Sequence, residues 1–276
     1  MDAAPEIQAL LDRLPAPDKD GKLTGPAPAD AEALYKEVLD GGPDRLRALV
    51  DAVAETAEGE GWRARYLLHG LAMHVGRPGS EAQRKRLVEA LAGALGGDRP
   101  KAVQAFLCQE LQATGTKEAV PALARLLGDE ALCEPAAMAL LAIADGAVEA
   151  FRAALPKAAG ACRLTILQGL GALRDAVSAE AFRAALGDGD REIRLAGGWA
   201  LARLANPASA APLLKAADGT EGWERIQATK HCLVLAERLA AAGKSAASRG
   251  IYEHLGKTRT DPSERYIQVL AIAALK

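Results

Sequence analysis

The residues best suited to chemistry in this chain are four cysteines (Cys108, Cys133, Cys162, Cys232) and four histidines (His69, His74, His231, His254). Thiolates and imidazoles ligate metals or act as nucleophiles and bases only where spacing brings them together. Here it does not. No CxxC pair occurs, and the four cysteines are too dispersed for a disulfide framework. His69 and His74 stand five apart on one expected helix, about 140° around it, whereas a helical metal pair stands four apart. His231 and His254 are isolated, and all four histidines read as structural or surface residues. The serine-elbow, P-loop, dinucleotide and HExxH patterns are missing as well. No catalytic residue, metal ligand or cofactor is assigned, and the chain reads as a non-enzyme.

What remains is binding, and binding residues need elements to position them. Half of the 276 residues are hydrophobic but only 4% are aromatic, so Ala and Leu, the best helix formers, carry the apolar fraction. The residues a sheet would need are sparse, which makes the fold all-α. Net charge is −2, giving no overall nucleic-acid or membrane footprint. Its distribution is uneven: residues 1–60 hold 14 acids and 6 bases, a net of −8, and residues 191–276 hold 13 bases and 8 acids, a net of +5. No run approaches a transmembrane length and the first residues carry no signal pattern. The default location is the cytoplasm, though a mature exported chain would read the same.

Self-similarity organises the helices. Leu91-Ala-Gly-Ala-Leu, Leu123-Ala-Arg-Leu-Leu, Phe151-Arg-Ala-Ala-Leu, Phe182-Arg-Ala-Ala-Leu and Leu213-Leu-Lys-Ala-Ala start 32, 28, 31 and 31 residues apart. That period holds two short helices and two turns. Longer helices lie between these segments, opened by Val103, Cys133, Cys162 and Ile193, with small or aliphatic residues at +3, +4, +7 and +11. Cys133 and Cys162 therefore share a register with Val103 and Ile193 and read as buried small hydrophobes. Longer helices are expected at 62–75, 100–114, 131–144, 160–174, 191–205 and 223–241, and shorter ones near 81–95, 117–127, 147–156, 176–186, 208–217 and 245–255. Residues 30–56 form an N-terminal pair split at Gly41-Gly42-Pro43, and 262–275 a final helix. Pro207 suits the first turn of its helix, while Pro121 and Pro212 should bend theirs. A helix over 5–14 and a Pro/Asp/Gly-rich stretch over 15–29, expected to be flexible, precede a single array over 30–276, whose clearest repeats span 100–218.

Two rows of this register could bind. One position after each opener stand Arg65, Gln104, Glu134, Arg163 and Arg194, either a structural ladder or an anion-binding strip. Six positions after it stand Gln109, Ala139, Gln168 and Trp199, with Leu195 one turn before the Trp. Gly197-Gly198 should leave the Trp199 indole open space, making it an anchor for a partner or a filler between repeats. Trp62 and Trp223 each precede a long helix, where packing onto the previous repeat is expected.

Asp190-Arg-Glu-Ile-Arg-Leu-Ala-Gly-Gly-Trp-Ala-Leu-Ala-Arg-Leu, followed by Pro-Ala-Ser-Ala-Ala-Pro-Leu-Leu214, resembles the short bacterial HEAT-like repeat of phycobilisome lyases. That pattern reads D-x-x-[VI]-R-x-x-A-x-x-A-L-x-x-L, then A-x-x-x-L. The match is strong over 190–218, fair over 100–190 and faint beyond, and a period near thirty is shorter than that of most HEAT repeats. The resemblance implies a right-handed α-α superhelix, a HEAT-like α-solenoid, with the longer helices on the concave side. It also implies that the register Arg ties to an acid of an adjoining turn, such as Asp188 or Asp190.

The function expected is a non-catalytic scaffold that binds a protein or peptide on the concave face, through Trp199, Leu195, Gln168, Gln109, Arg163 and Arg194. Two alternatives follow from the resemblance. One is a lyase-like subunit cradling a chromophore or small substrate, which needs a deep pocket near Trp199, Gln168 or His69. The other is a nucleic-acid binder like the HEAT-like DNA glycosylases, which the slightly acidic composition disfavours. The HEAT-like di-iron hydroxylases use His-Glu pairs, and no His-Glu dipeptide occurs here.

Overall fold

Successive helices begin and end where the breakers predict in a computed structural model, which describes residues 4–16, 18–20, 25–54 and 61–276. Among the described residues every regular element is helical. The chain divides into two compact units, Met1–Ala150 and Phe151–Lys276.

The first unit contains α1 (Pro5–Leu11), α2 (Pro28–Asp40), α3 (Gly42–Asp51), α4 (Trp62–Val75), α5 (Glu81–Gly93), α6 (Lys101–Thr114), α7 (Val120–Ala124) and α8 (Cys133–Ile143). The longer helices α4, α6 and α8 pack in chain order, as do the shorter α3, α5 and α7. Helix α9 (Ala147–Ala154) crosses the division. The second unit contains α10 (Gly160–Ala172), α11 (Ala179–Ala185), α12 (Arg191–Arg203), α13 (Ala210–Asp218), α14 (Gly222–Ala241), α15 (Ser245–Thr258) and α16 (Arg265–Ala273). There α10, α12 and α14 pack side by side, α11 and α13 lie against them, and α16 closes on α15. A pair of helices cannot bury its own apolar face, so stability comes from stacking. The core is accordingly a run of fully buried residues such as Leu67, Leu107, Leu140, Ile166, Leu201 and Leu235.

The prolines behave differently from expectation. Pro121 and Pro212 do not bend their helices. Single 3-10 turns, Lys117–Ala119 and Pro207–Ser209, lead into α7 and α13, so each proline falls in the first turn of a fresh α-helix. The missing N–H has no intrahelical partner there in any case. Side-chain caps mark the same turns: Asp175 accepts from the backbone of Val177 and Ser178, Asn206 from Ala208, and Asp190 from Glu192. The flexibility expected of 15–29 falls in part on residues 17 and 21–24, which lie outside the described residues.

Candidate functional site

The arginines and the glutamine of the row after each opener form a structural ladder, while Glu134 is exposed and takes no part in it among the described residues. Arg163 Nη1 bonds Asp188 at 2.5 Å. Arg194 grips both oxygens of Glu224 at 2.6 and 2.7 Å and donates to the Asp188 and Gly189 carbonyls at 2.8 and 3.0 Å. Arg225, another 31 residues on, repeats the grip on Glu264 at 2.6 and 3.0 Å and donates to the Ala217 carbonyl at 3.2 Å. In the first unit Arg65 donates twice to the Ala54 carbonyl, and Gln104 bridges the Gly96 N–H and the Arg99 carbonyl. Arg65, Gln104, Arg194 and Arg225 thus tie their helices to the turns that precede them, whereas Arg163 reaches forward to the turn before the next long helix. Its hydrogen bond to Arg194 holds the Glu224 carboxyl below the usual range, and the same bond raises Arg194. Arg225 was legible from the 31-residue spacing and was missed because the repeat pattern fades after 218.

The solvent face of the longer helices in the second unit is apolar and basic. Trp199 is half-buried, and the space it fills lies at Gly171 rather than at Gly197-Gly198: a Cβ on Gly171 would stand 2.6 Å from the indole. The Arg203 guanidinium lies 4.7 Å from the Trp199 ring centroid and donates to the Gly171 and Ala172 carbonyls at the end of α10. Burial lowers the affinity of Arg203 for its proton, and the charges of Arg174 and Arg238 lower it further. Neither Arg174 nor Arg238 has a carboxylate partner among the described residues. Lys244, nearby in the fold, donates to the Ala205 carbonyl at 2.9 Å. Cations are thus gathered at the ends of α10 and α12 without a carboxylate acting on Arg203. Along α14 the row continues through Trp223, Ile226, Lys230 and Val234, all exposed. Trp223 is covered on one side only: it stands 52% exposed, with Arg191 of the preceding repeat 4.9 Å from its ring. Gln168 is exposed on α10, and Leu195 is half-buried on α12. Gln109 is exposed on α6 of the first unit, so the six-residue row does not form one described patch. Its member Ala139 is buried.

A third row carries polar chemistry that sequence reading passed over. Seven positions after each opener stand Leu71, Glu110, Leu140, Gly169 and Ala200, and 31 further on His231. These are core positions. Glu110 is 2% exposed, and both of its oxygens lie 3.1–3.2 Å from Nδ1 of His69, whose ring is largely exposed. Burial pushes the Glu110 carboxyl up and His69 draws it back. His231 has no such partner. Burial lowers it from the ordinary 6.5 to about 4, aided by Lys230, and it makes no hydrogen bond or ion pair among the described residues. It borders a cleft of about 780 Å³ with Leu195 and Gly198, while neither Trp199 nor Gln168 lines that cleft.

The other candidates are structural. All four cysteines are buried, and desolvation pushes Cys108 and Cys232 up to about 12. His74 stacks on Tyr35 at 5.3 Å, and His254 bonds Asp218 at 2.7 Å. Trp62 is buried, as expected. Among the described residues there is no group of three or more metal-ligating side chains and no helix long and apolar enough to cross a membrane.

The chain is similar to several solved helical-repeat structures at low identity. No curated protein matches the chain. An engineered protein covers 90% of this chain and 72% of its own at 19% identity and a TM-score of 0.46. The complex of CpcE and CpcF of phycocyanin lyase from Nostoc sp. PCC7120 covers 100% of this chain and 94% of its own at 19% identity and a TM-score of 0.35. A designed armadillo repeat protein covers 84% of this chain and 100% of its own at 18% identity and a TM-score of 0.31. The HEAT-repeat family matches residues 148–234, the segment that holds the ladder arginines Arg163, Arg194 and Arg225. Those residues, about a third of the chain, are similar to HEAT repeats.

Proposed function

We propose that the second unit is a non-catalytic binding module whose longer helices receive an acidic, extended segment of a partner protein. The observation that carries this reading is the stack of Arg203 on Trp199, with Arg174 and Arg238 close enough to act on it and no carboxylate offsetting them. Half-buried tryptophan and arginine supply most of the energy at typical protein interfaces. Trp199 is the central anchor, Gln168 and Leu195 extend the surface to either side, and the exposed Trp223 and Ile226 add apolar area. Arg163 and Arg194 act at one remove, by fixing the register of the helices that present it. Gln109 belongs to the first unit and is exposed there, outside this surface.

The test uses a labelled glutamate-rich peptide, a lysine-rich peptide and a duplex oligonucleotide, read by anisotropy. The acidic peptide should bind and the lysine-rich one should not. Trp199→Ala and Arg203→Glu should each weaken that binding by about tenfold or more. Binding of the oligonucleotide in place of the peptide, or equal binding of both peptides, would overturn the reading.

A further inference from the structure

His231 occupies a core register in which its counterparts are Leu71, Leu140, Gly169 and Ala200. The ring is half-buried, and a partly desolvated imidazole gains from a hydrogen-bond partner. His231 has none among the described residues. Gly198 makes room for it: a Cβ there would stand 2.7 Å from Nδ1 but 3.5 Å from Cε1 and 3.6 Å from Cγ. The ring therefore offers its Nδ1 edge to the bare Gly198 backbone and turns Nε2 away.

The cleft beside this ring lies wholly within the second unit. Its volume of about 780 Å³ is that of a small-molecule site. Leu186, Leu195, Pro212, Ala216 and Ala228 supply apolar walls. The polar groups of the bordering turns are already engaged, with Arg194 held by Glu224, Asp188 by Arg163, and Thr220 donating to the Ala216 carbonyl. Arg183 pairs with Glu180, and among the described residues two charges without an ion-pair partner remain at the border, Lys215 and Glu221, of opposite sign. Such a site favours neither anion nor cation. It has an apolar body and one unused hydrogen-bonding imidazole.

We propose that this cleft binds a small neutral ligand, an apolar ring or chain bearing one hydroxyl that hydrogen-bonds His231. The site is separate from the Trp199–Arg203 surface and does not depend on acidic-peptide binding. The experiment follows the Cε1–H resonance of His231 by NMR in the full chain, at neutral pH, with phenol, benzoate and toluene as probes. Phenol should shift the resonance saturably and bind more tightly than either of the others. His231→Leu keeps an apolar side chain common in this register. It should weaken phenol about fivefold or more, read from ligand-observed NMR, and leave toluene unchanged. Gly198→Ala, which pushes on the imidazole, should weaken phenol in a chain whose circular dichroism is unaltered. Three results would each overturn the proposal: no saturable shift with any probe, benzoate binding more tightly than phenol, or phenol binding undiminished in His231→Leu.

Discussion

Glu110 in the first unit and His231 in the second stand at the same register of their helices, yet their surroundings differ. Glu110 is almost fully buried and is met by an imidazole from the neighbouring long helix. His231 faces a glycine and a cleft, with no partner. A repeat fold tolerates a polar residue in its core when a neighbour satisfies it, and the first unit does so within its own chain. The second unit leaves the half-buried His231 without a hydrogen bond among the described residues and provides a space beside it. Such an unsatisfied group in a cleft is a sign of function, whereas a satisfied one is a variation of packing.

The comparison can be broken most sharply by pH. The folded state holds His231 neutral down to about 4, against an ordinary 6.5, so between those values the unfolded chain binds the extra proton. A depressed value means that stability is intact above 6.5 and is lost as pH falls through that window. The loss is on the order of 2–3 kcal/mol at its lower end. Asp175, held down to about 2 by its bonds to Arg152, titrates below the window and contributes little slope inside it. Urea titrations at pH 7, 5.5 and 4.5 should therefore show a decline that is shallower in His231→Leu. Equal declines in the two proteins would mean that His231 is hydrated and that the contrast with Glu110 is one of degree.

The first unit offers the complementary test. His69→Ala leaves the Glu110 carboxylate buried without its partner and should destabilise by about 2 kcal/mol, less than the roughly 3–5 kcal/mol of a fully buried pair because the His69 ring is largely exposed. Glu110→Leu installs the residue that Leu71 and Leu140 already provide in this row, and should be neutral or stabilising by about 1 kcal/mol. A strongly destabilised Glu110→Leu, measured by the same denaturation, would show that the Glu110–His69 pair does more than satisfy itself.

These contrasts explain what was legible in the sequence. Helix positions followed from breakers at fixed spacing, and the burial of Cys133 and Cys162 followed from their alignment with Val103 and Ile193. Asp188 was the correct partner for Arg163, but Glu224, 30 residues from Arg194, lies in the next repeat, where the pattern was weaker. The open space expected beside Trp199 was misplaced because Gly197 and Gly198 point to other helices: a Cβ on Gly197 would meet the Phe182 carbonyl, and one on Gly198 would meet His231. A glycine in a helix tells that something approaches closely, but not from which side. Glu110 and His231 escaped notice because a polar residue at an apolar register reads as an interruption of the pattern rather than as part of it.

The smallest expected effect tests whether the two units share one scaffold beneath that difference. Ala144 in the first unit and Ala205 in the second end their long helices with φ of 62° and 50°, and Arg174 does the same with 55°. A side chain in this region crowds its own backbone, and glycine relieves the crowding at the cost of extra freedom in the unfolded chain. Relief should exceed that cost, so Ala144→Gly and Ala205→Gly should each stabilise by about 0.5 kcal/mol. Thermal melts of the two variants can resolve this. Equal gains would place the strain in a turn geometry common to the repeats, so that the contrast between Glu110 and His231 arises from the side chains of a single row. A gain at Ala205 alone would instead mean that the turns of the two units carry different strain, and the polar row would then be one difference among several.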